Sequence, residues 1–277
     1  MSTIFHSYTD KQLSILRAIG KYKFLCYPQM IRLGIDKYTS NLSTAMKSLV
    51  EGRHPLVKKI PHRTGTAAIF YLTKRGKEML LDLRVAAANI HLPKGAVLSA
   101  TQDTIHRTHL IDIQIELDLA CKEKSIEVLF CDRYFDTVGN ARDKSLASKT
   151  AILFEQNKTF KSDMIFMLQI EKQKELYLLE LEMGKNSKKS AIKVMENAKA
   201  ILKGSANQKY QYQKAYRTLW ILEHQSILDA TITRVQDDVF FANLNEYFLF
   251  KSLEQISNTD FFEQWCNLAV VKRKLYY

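Results

Sequence analysis

The chain has 277 residues, of which 46% are hydrophobic and 25% are charged, so it has ample apolar content for a folded core. It contains no apolar run near the roughly 20 residues that a transmembrane helix needs. Residues 1–12 lack the basic and apolar regions of a secretory signal. The four cysteines form no Cys-x-x-Cys pair, which favours reduced thiols over a zinc site. We therefore expect a cytoplasmic protein that does not contact a membrane.

The formal charge of +12 is concentrated in the first third of the chain. Residues 1–100 contain 16 Lys and Arg against 5 Asp and Glu, whereas residues 101–277 contain 25 against 24. A compact module this basic attracts a polyanion. Nucleic acid is favoured over a membrane surface, because no Lys- and Arg-rich amphipathic helix with bulky apolar anchors is visible.

The basic module begins with a pattern of three helices. Thr9 to Gln12 has the form of a capping box, and apolar residues follow it at helical spacing. A second helix is expected to begin near Pro28, where proline suits the first turn. Ser40 or Asn41 is expected to cap the third helix, whose apolar stripe includes Leu42, Ala45, Met46, Leu49 and Val50.

Two strands follow, at 56–60 and 68–73, and Thr73 caps a further helix. Three helices and a β-hairpin is the element order of a winged helix, whose third helix enters the major groove. The predicted DNA-binding residues lie on the exposed face of that helix and on the hairpin: Ser43, Thr44, Lys47, Ser48, Lys58, His62 and Arg63. The alternative is a protein-interaction module whose basic residues keep it soluble.

The remainder of the chain predicts an α/β domain with a central mixed sheet. After a linker at 92–102, a long helix runs from about 104 to 124 and a strand follows it. Residues 133–150 are polar and are expected to be irregular. Strands and helices then alternate to the C-terminus, which is typical of an α/β domain.

Two acidic residues interrupt an apolar strand of this domain. Glu180 and Glu182 lie in the segment ELYLLELEMGK, on the same face of the strand and about 7 Å apart. A turn near 171 or 172 would place Asp163 of the preceding strand opposite residues 180 to 181. Three carboxylates on one patch would raise at least one pKa unless a cation compensates them. Oxygen ligands of this kind suit Mg²⁺ or Mn²⁺.

Lysines near the acids are candidates for stabilising a phosphoryl-transfer transition state. Lys185 follows the acidic pair closely, and Lys193 lies on the next helix. His109 and Glu116 share a face of the long helix and are candidates for supporting the site, although packing at a domain interface explains both as well. For the three acids, the alternative to a metal site is a salt-bridged structural cluster.

The acids resemble the motif of the PD-(D/E)XK nuclease superfamily, with an Asp at the start of one strand and E-x-K on the next. Asp163 and Glu180-Leu181-Glu182 match it, with Glu182 in place of the lysine, as in some restriction endonucleases. The order of parts along almost the whole chain is similar to the plasmid replication-relaxation family, which includes the MobC-type (MOBC) relaxases. It reads ILRAIGKYKFL, LSTAMKSLVEGR, YLTKRGKEML, HRTHLIDIQIEL, then SDMIFML and LLELEMGK.

This resemblance implies a winged helix over residues 1–91, a linker over 92–102 and a restriction-endonuclease-like α/β domain over 103–277. It implies nicking of double-stranded and locally melted DNA at a plasmid or mobile-element transfer or replication origin, with other relaxosome or coupling proteins as partners. Asp163 and Glu180 would then bind Mg²⁺ or Mn²⁺, Glu182 would bind the ion or position water, and Lys185, Lys193 or Lys199 would complete the catalytic site.

Two other functions fit the same residues. One is a non-catalytic DNA-binding accessory protein of plasmid replication or mobilisation. The other is a restriction endonuclease of a defence system, for which the aromatic segment at 260–271 offers either a dimer interface or core packing. No feature determines the oligomeric state. No feature selects one of the 13 tyrosines as a nucleophile, so hydrolysis by water is the preferred mechanism.

Overall fold

The computed structural model describes residues 8–60, 67–93, 103–139, 146–155, 158–241 and 243–276. The fold is mixed α/β, as the sequence predicts, and it divides into two compact units, Met1–Ile115 and Glu116–Tyr277. Most of the predicted linker lies outside the described residues. Of the helices in the described ranges, none has both the length and the apolar character that crossing a bilayer requires.

The first unit opens with helices α1 (Asp10–Tyr22), α2 (Tyr27–Arg32) and α3 (Thr39–Val50). The predicted capping box of α1 is confirmed, because Gln12 N–H donates to the Thr9 hydroxyl and Thr9 N–H donates to the Gln12 side chain. The predicted proline in the first turn of α2 is also confirmed. These local signals predict the starts of both helices, because the capping box satisfies N–H groups that would otherwise lack partners and the proline has no N–H to satisfy.

The predicted cap of α3 is wrong. The helix begins one residue before Ser40, and its N-cap is Tyr38, whose side chain makes no capping bond. Asp36 instead stabilises the turn before the helix, because its Oδ1 accepts hydrogen bonds from Tyr38 N–H and from the Asn41 amide. An Asx-type turn upstream of the helix thus replaces the expected side-chain cap.

The unit continues with a hairpin of β1 (Val57–Ile60) and β2 (Ile69–Leu72), then helix α4 (Lys74–Asp82) and the start of α5 (Thr104–Glu123). Its core is apolar and contains buried residues of α1, α3, β2 and α4: Ile15, Leu16, Ile19, Leu42, Met46, Leu49, Phe70, Leu72 and Leu80. The predicted apolar stripe of α3 therefore faces inward through Leu42, Met46 and Leu49.

The second unit contains the remaining elements. They are the strands β3 (Glu127–Arg133), β4 (Thr137–Val138), β5 (Ala147–Ser148), β6 (Ala151–Glu155), β7 (Lys158–Lys161), β8 (Met164–Ile170) and β9 (Gln173–Glu182), the helices α6 (Ser187–Leu202) and α7 (Ser205–Tyr210), then β10 (Arg217–Leu222), α8 (Gln225–Val235), β11 (Phe248–Ser252), α9 (Leu253–Asn258), β12 (Trp265–Cys266) and β13 (Lys272–Arg273).

A seven-stranded mixed sheet organises this unit, in the order β13-β12-β11-β10-β9-β8-β3. Strands β9, β10 and β11 are parallel, and the other neighbours are antiparallel. Helices α6 and α8 pack on one face, where Val194 and Ala198 contact a cluster that includes Trp220 and Leu222 of β10. The crossover from β9 to β10 therefore carries α6 over the face that bears the even-numbered residues of β9.

Two expectations for this unit are refined by the structure. Residues 133–150 are not wholly irregular, because β4 and β5 pair there and Arg133 forms a buried ion pair with Asp136. In the aromatic segment at 260–271, Phe262 and Trp265 are fully buried, so core packing accounts for both side chains.

The close approach of α4 to the hairpin gives a test of the first unit. A Cβ on Gly76 would lie 2.3 Å from the carbonyl oxygen of Leu56, whereas a Cβ on Gly184 would meet nothing within 4 Å. We expect Gly76→Ala to lower the free energy of unfolding by about 1–3 kcal/mol, because backbone would have to move. Gly184→Ala, the matched control, should change it by less than about 0.5 kcal/mol. Urea denaturation measures both, and equal stabilities would contradict the close approach.

Candidate functional site

The β8–β9 hairpin brings the predicted acids to one face of the sheet. Its turn consists of Glu171 and Lys172, since Ile170 pairs with Gln173, and its last ladder pair is Met164 with Leu179. The next residues in this register are Asp163 and Glu180. The turn position and the alignment predicted from the sequence are therefore confirmed, and Glu180 and Glu182 point to the side covered by α6.

Asp163 lies where β8 begins, and its carboxylate extends the sheet's hydrogen bonding by one step. Oδ2 of Asp163 accepts a hydrogen bond from the backbone N–H of Leu181 at 2.8 Å. The neighbouring Ser162 hydroxyl donates to the carbonyl of Leu179 at 3.0 Å. These bonds fix Asp163 against the acidic end of β9.

Glu180 is the least compensated of the three acids. The residue is 4% exposed, and Oε1 has no hydrogen-bond partner among the described residues. Burial raises the pKa of this carboxyl well above its ordinary value of 4.5, and the charge of Asp163 raises it further. The Ser162 hydroxyl and the Lys193 ammonium act in the opposite direction but do not outweigh burial. The sequence predicts a raised pKa from repulsion, whereas desolvation is the larger cause.

Glu182 is compensated by a lysine of helix α6. Lys193 Nζ donates to Oε1 of Glu182, and the carboxylate is nearly buried while the ammonium is partly exposed. Burial acts to lower the pKa of Lys193, but the hydrogen bond to Glu182 and the charges of Glu182, Glu180 and Asp163 raise it overall. An ammonium held in this way stays protonated beside the acids.

A cleft of about 430 Å³ opens at Glu180, which lines it, whereas Asp163 and Glu182 are not among its lining residues. Its lining comes from β7 (158–161), from Glu180 of β9, and from Lys193, Glu196 and Asn197 of α6. The buried Glu180 carboxyl and several lysines therefore line the same cleft. Of these lysines, Lys158 and Lys161 are exposed. A cleft with this charge pattern can take a negatively charged group at its wall and a cation at its acidic end.

The other predicted site residues are not all brought to this cleft. Lys185 is exposed between β9 and α6 and is not among the lining residues, so the lysine that contacts the acids is Lys193. His109 belongs to the first unit, where its Nδ1 lies 3.9 Å from Asp112 Oδ2. Glu116 is half-buried on α5 and does not line the cleft either.

Sequence reasoning missed the β7 wall and Asn197. The segment KTFK at 158–161 precedes Asp163 by two residues, and Asn197 lies four residues after Lys193, on the same face of α6. Both spacings are visible in the sequence. Their relation to the site becomes clear only when the positions of β7 and of the crossover helix α6 relative to β9 are known.

In the first unit, most of the predicted DNA-binding residues lie on the surface. Ser43, Thr44, Lys47 and Ser48 are exposed on α3, opposite its buried stripe, and Lys58 is exposed on β1. The Ser48 hydroxyl accepts a hydrogen bond from the Gln12 side chain at 2.6 Å, which ties this face to α1. His62 and Arg63 lie outside the described residues.

A second contact fixes the start of α3 against α1. Lys11 Nζ lies 2.5 Å from Asp36 Oδ2, and this bond, with the Tyr38 N–H, lowers the pKa of Asp36 to about 2. Because Asp36 also organises the turn before α3, the exposed face of that helix is held in a defined orientation within its unit.

The carboxylates near Glu180 are the residues of this unit that could hold a hydrated magnesium or manganese ion. Among the described residues, the His, Cys, Asp and Glu side chains form no group of three or more placed to hold a metal. Magnesium, however, is usually bound through one or two carboxylates and keeps several waters. Asp163 and Glu180, whose Oε1 has no partner among the described residues, are the two carboxylates that could serve in this way, whereas Glu182 is engaged by Lys193.

The chain was compared with protein-family models, with curated proteins and with solved structures, and none of them matches it.

The buried Glu180 carboxyl predicts a specific pH dependence of stability in the metal-free protein. Its folded-state pKa is raised, so the folded chain retains a proton that the unfolded chain loses above its ordinary pKa of 4.5. The free energy of unfolding should therefore fall as pH rises from there through the folded-state pKa. Glu180→Gln should lack this decline.

The measurement is a series of urea titrations in EDTA between pH 4 and pH 8. Glu127→Gln, at an exposed position of β3, is the matched control and should follow the wild type at every pH. A constant stability difference between Glu180→Gln and the wild type would show that this carboxyl does not titrate abnormally in the folded protein.

Proposed function

We propose that this protein is a DNA-binding, metal-dependent endonuclease of the nicking type. The observation that carries the proposal is the cleft in the second unit, where buried Glu180 has an oxygen without a partner beside Asp163 and lysines line the wall. Such a cleft combines what phosphodiester hydrolysis requires: a cation site, an ammonium group and a basic path for the phosphate backbone.

Each residue of the cleft has a role in this proposal. Asp163 and Glu180 would hold Mg²⁺ or Mn²⁺, and a bound ion of this kind supplies activation of a water and of a phosphoryl oxygen. Lys193, fixed by Glu182, supplies positive charge next to the reacting phosphate. Lys158 and Lys161 would bind flanking phosphates of the same strand.

In this proposal the first unit binds the DNA. Its order of three helices, hairpin and helix, together with the exposed polar face of α3, supports the assignment as a winged helix. In that role, α3 enters the major groove through Ser43, Thr44 and Lys47, and Lys58 of the hairpin contacts the backbone. The charge excess of residues 1–100 supports this location of the binding surface.

Action at the transfer or replication origin of a plasmid or mobile element is the more specific part of the proposal. It rests on the resemblance to the plasmid replication-relaxation family and on the E-x-E form of the acidic motif. Cleavage of one strand of such an origin needs one catalytic centre, and the cleft at Glu180 would supply it.

The catalytic prediction is tested by nicking. Duplexes bound by the protein would be selected from a random library, cloned into a supercoiled plasmid, and incubated with the protein and Mn²⁺. We expect open circles with the wild type and at least a hundredfold slower nicking with Asp163→Asn, because both the carboxylate charge and the cation site are removed. Asp237→Asn, the same change at an exposed position, is the control and should nick at the wild-type rate. Nicking by Asp163→Asn at that rate would disprove the site.

The DNA-binding prediction is tested by salt dependence. Replacing Lys47 and Lys58 together by alanine should weaken binding to the selected duplex and reduce the slope of log K against log salt by about 0.9 for each phosphate that is no longer neutralised. The control replaces Lys172 and Lys174, two exposed lysines of the β8–β9 hairpin, which changes the net charge equally. Equal weakening in both double variants would mean that total charge, and not this face, drives binding.

A second candidate is favoured by the Lys193–Glu182 ion pair, which compensates one acid without a metal. In that case the protein is a DNA-binding accessory factor, and its second unit serves in assembly. Calorimetry separates the two functions. Full affinity for the selected duplex with no heat of Mn²⁺ binding would support the accessory factor.

A further inference from the structure

Asn197 carries a buried hydrogen-bond acceptor that nothing in its described surroundings satisfies. The side chain is 4% exposed on α6, and its Nδ2 donates to the carbonyl of Lys193 at 3.2 Å. That bond orients the amide, and Oδ1 then has no partner among the described residues. A buried acceptor without a donor is costly, so its retention calls for a ligand or ordered water.

Glu180 presents the same deficiency in the same cleft. Within the described part of the chain, its Oε1 and the Oδ1 of Asn197 are both buried and unpartnered, and both residues line the 430 Å³ cavity. One comes from the sheet and the other from the crossover helix, so they approach the cavity from different elements. When Glu180 is ionised, these two acceptors on different elements both need donors from within the cavity.

The chemistry of these atoms points to a hydrated cation. A carboxylate oxygen can bind the ion directly, whereas a neutral amide oxygen is well suited to accept hydrogen bonds from the waters that Mg²⁺ and Mn²⁺ retain. A bound anion would instead face two acceptors and gain nothing from either. The Lys193 ammonium donates to Glu182, and both buried acceptors still have no partner among the described residues, so it does not fill this need.

We propose that Asn197 is a positioning residue that holds the hydration shell of a divalent cation bound at Glu180. The inference rests on the proposed metal-dependent function and adds to it a group from outside the acidic motif. In this arrangement α6 contributes twice to the site. Lys193 fixes Glu182, and Asn197, one helical turn later, orients the water on the cation.

The first test is the stability of the metal-free protein, where a site role and a structural role predict opposite signs. Asn197→Leu removes an unsatisfied acceptor and keeps the volume, so its urea midpoint in EDTA should equal or exceed that of the wild type. Ile192→Ala, at an exposed position of the same helix, is the control for changes in α6 itself. A clearly lower midpoint for Asn197→Leu than for that control would overturn the proposal in favour of structural packing.

The second test is Mn²⁺ affinity by calorimetry on the full chain. Asn197→Leu should bind Mn²⁺ about 10- to 100-fold more weakly, as is typical when a residue that holds a metal's ligands in place is removed. Asn197→Asp keeps the acceptor and should bind at least as tightly as the wild type, and Ile192→Ala should bind equally. Unchanged affinity in Asn197→Leu would overturn this inference and leave the proposed function intact. Absence of Mn²⁺ binding by the wild type would overturn both.

Discussion

The burial of two carboxylates in one strand is the constraint on which the second unit depends. Glu182 is offset by Lys193, whereas Glu180 keeps an oxygen without a donor among the described residues. A strand of leucines with one compensated and one uncompensated acid is less stable than its apolar counterpart would be. The cost is local, because buried apolar residues of α6, α8 and β10 form one core cluster on the same face of the sheet.

The sequence predicted the fold well where local rules act alone. The caps at Thr9 and Thr73 each satisfy a backbone N–H nearby, and the proline of α2 has no N–H that needs a partner, so the starts of α1, α2 and α4 could be predicted from a few residues. The start of α3 could not, because its turn is organised by Asp36 and Lys11 from outside the helix. The pairing of β4 with β5 was missed because two-residue strands show no alternation.

The candidate site was predictable to the extent that strand pairing determines it. Successive side chains of a strand point to opposite faces of the sheet. A two-residue turn is therefore enough to predict that Asp163 lies beside Glu180. The lysine was harder, since Lys185 is near the acids in sequence but exposed, whereas Lys193 reaches them from the crossover helix. Asn197 and the β7 wall depend on how separate elements pack, and neither periodicity nor spacing contains that information.

The tightness of the β8–β9 turn restricts how this chain can diverge. Glu171 adopts a left-handed backbone at φ 52°. The turn has only two residues, so no unpaired residue separates it from the hydrogen-bonded strands. Gain or loss of a single codon there would shift the pairing by one and turn both glutamates towards the opposite side of the sheet. Homologues that keep the acids should therefore tolerate changes of residue type in this turn far more readily than changes of its length.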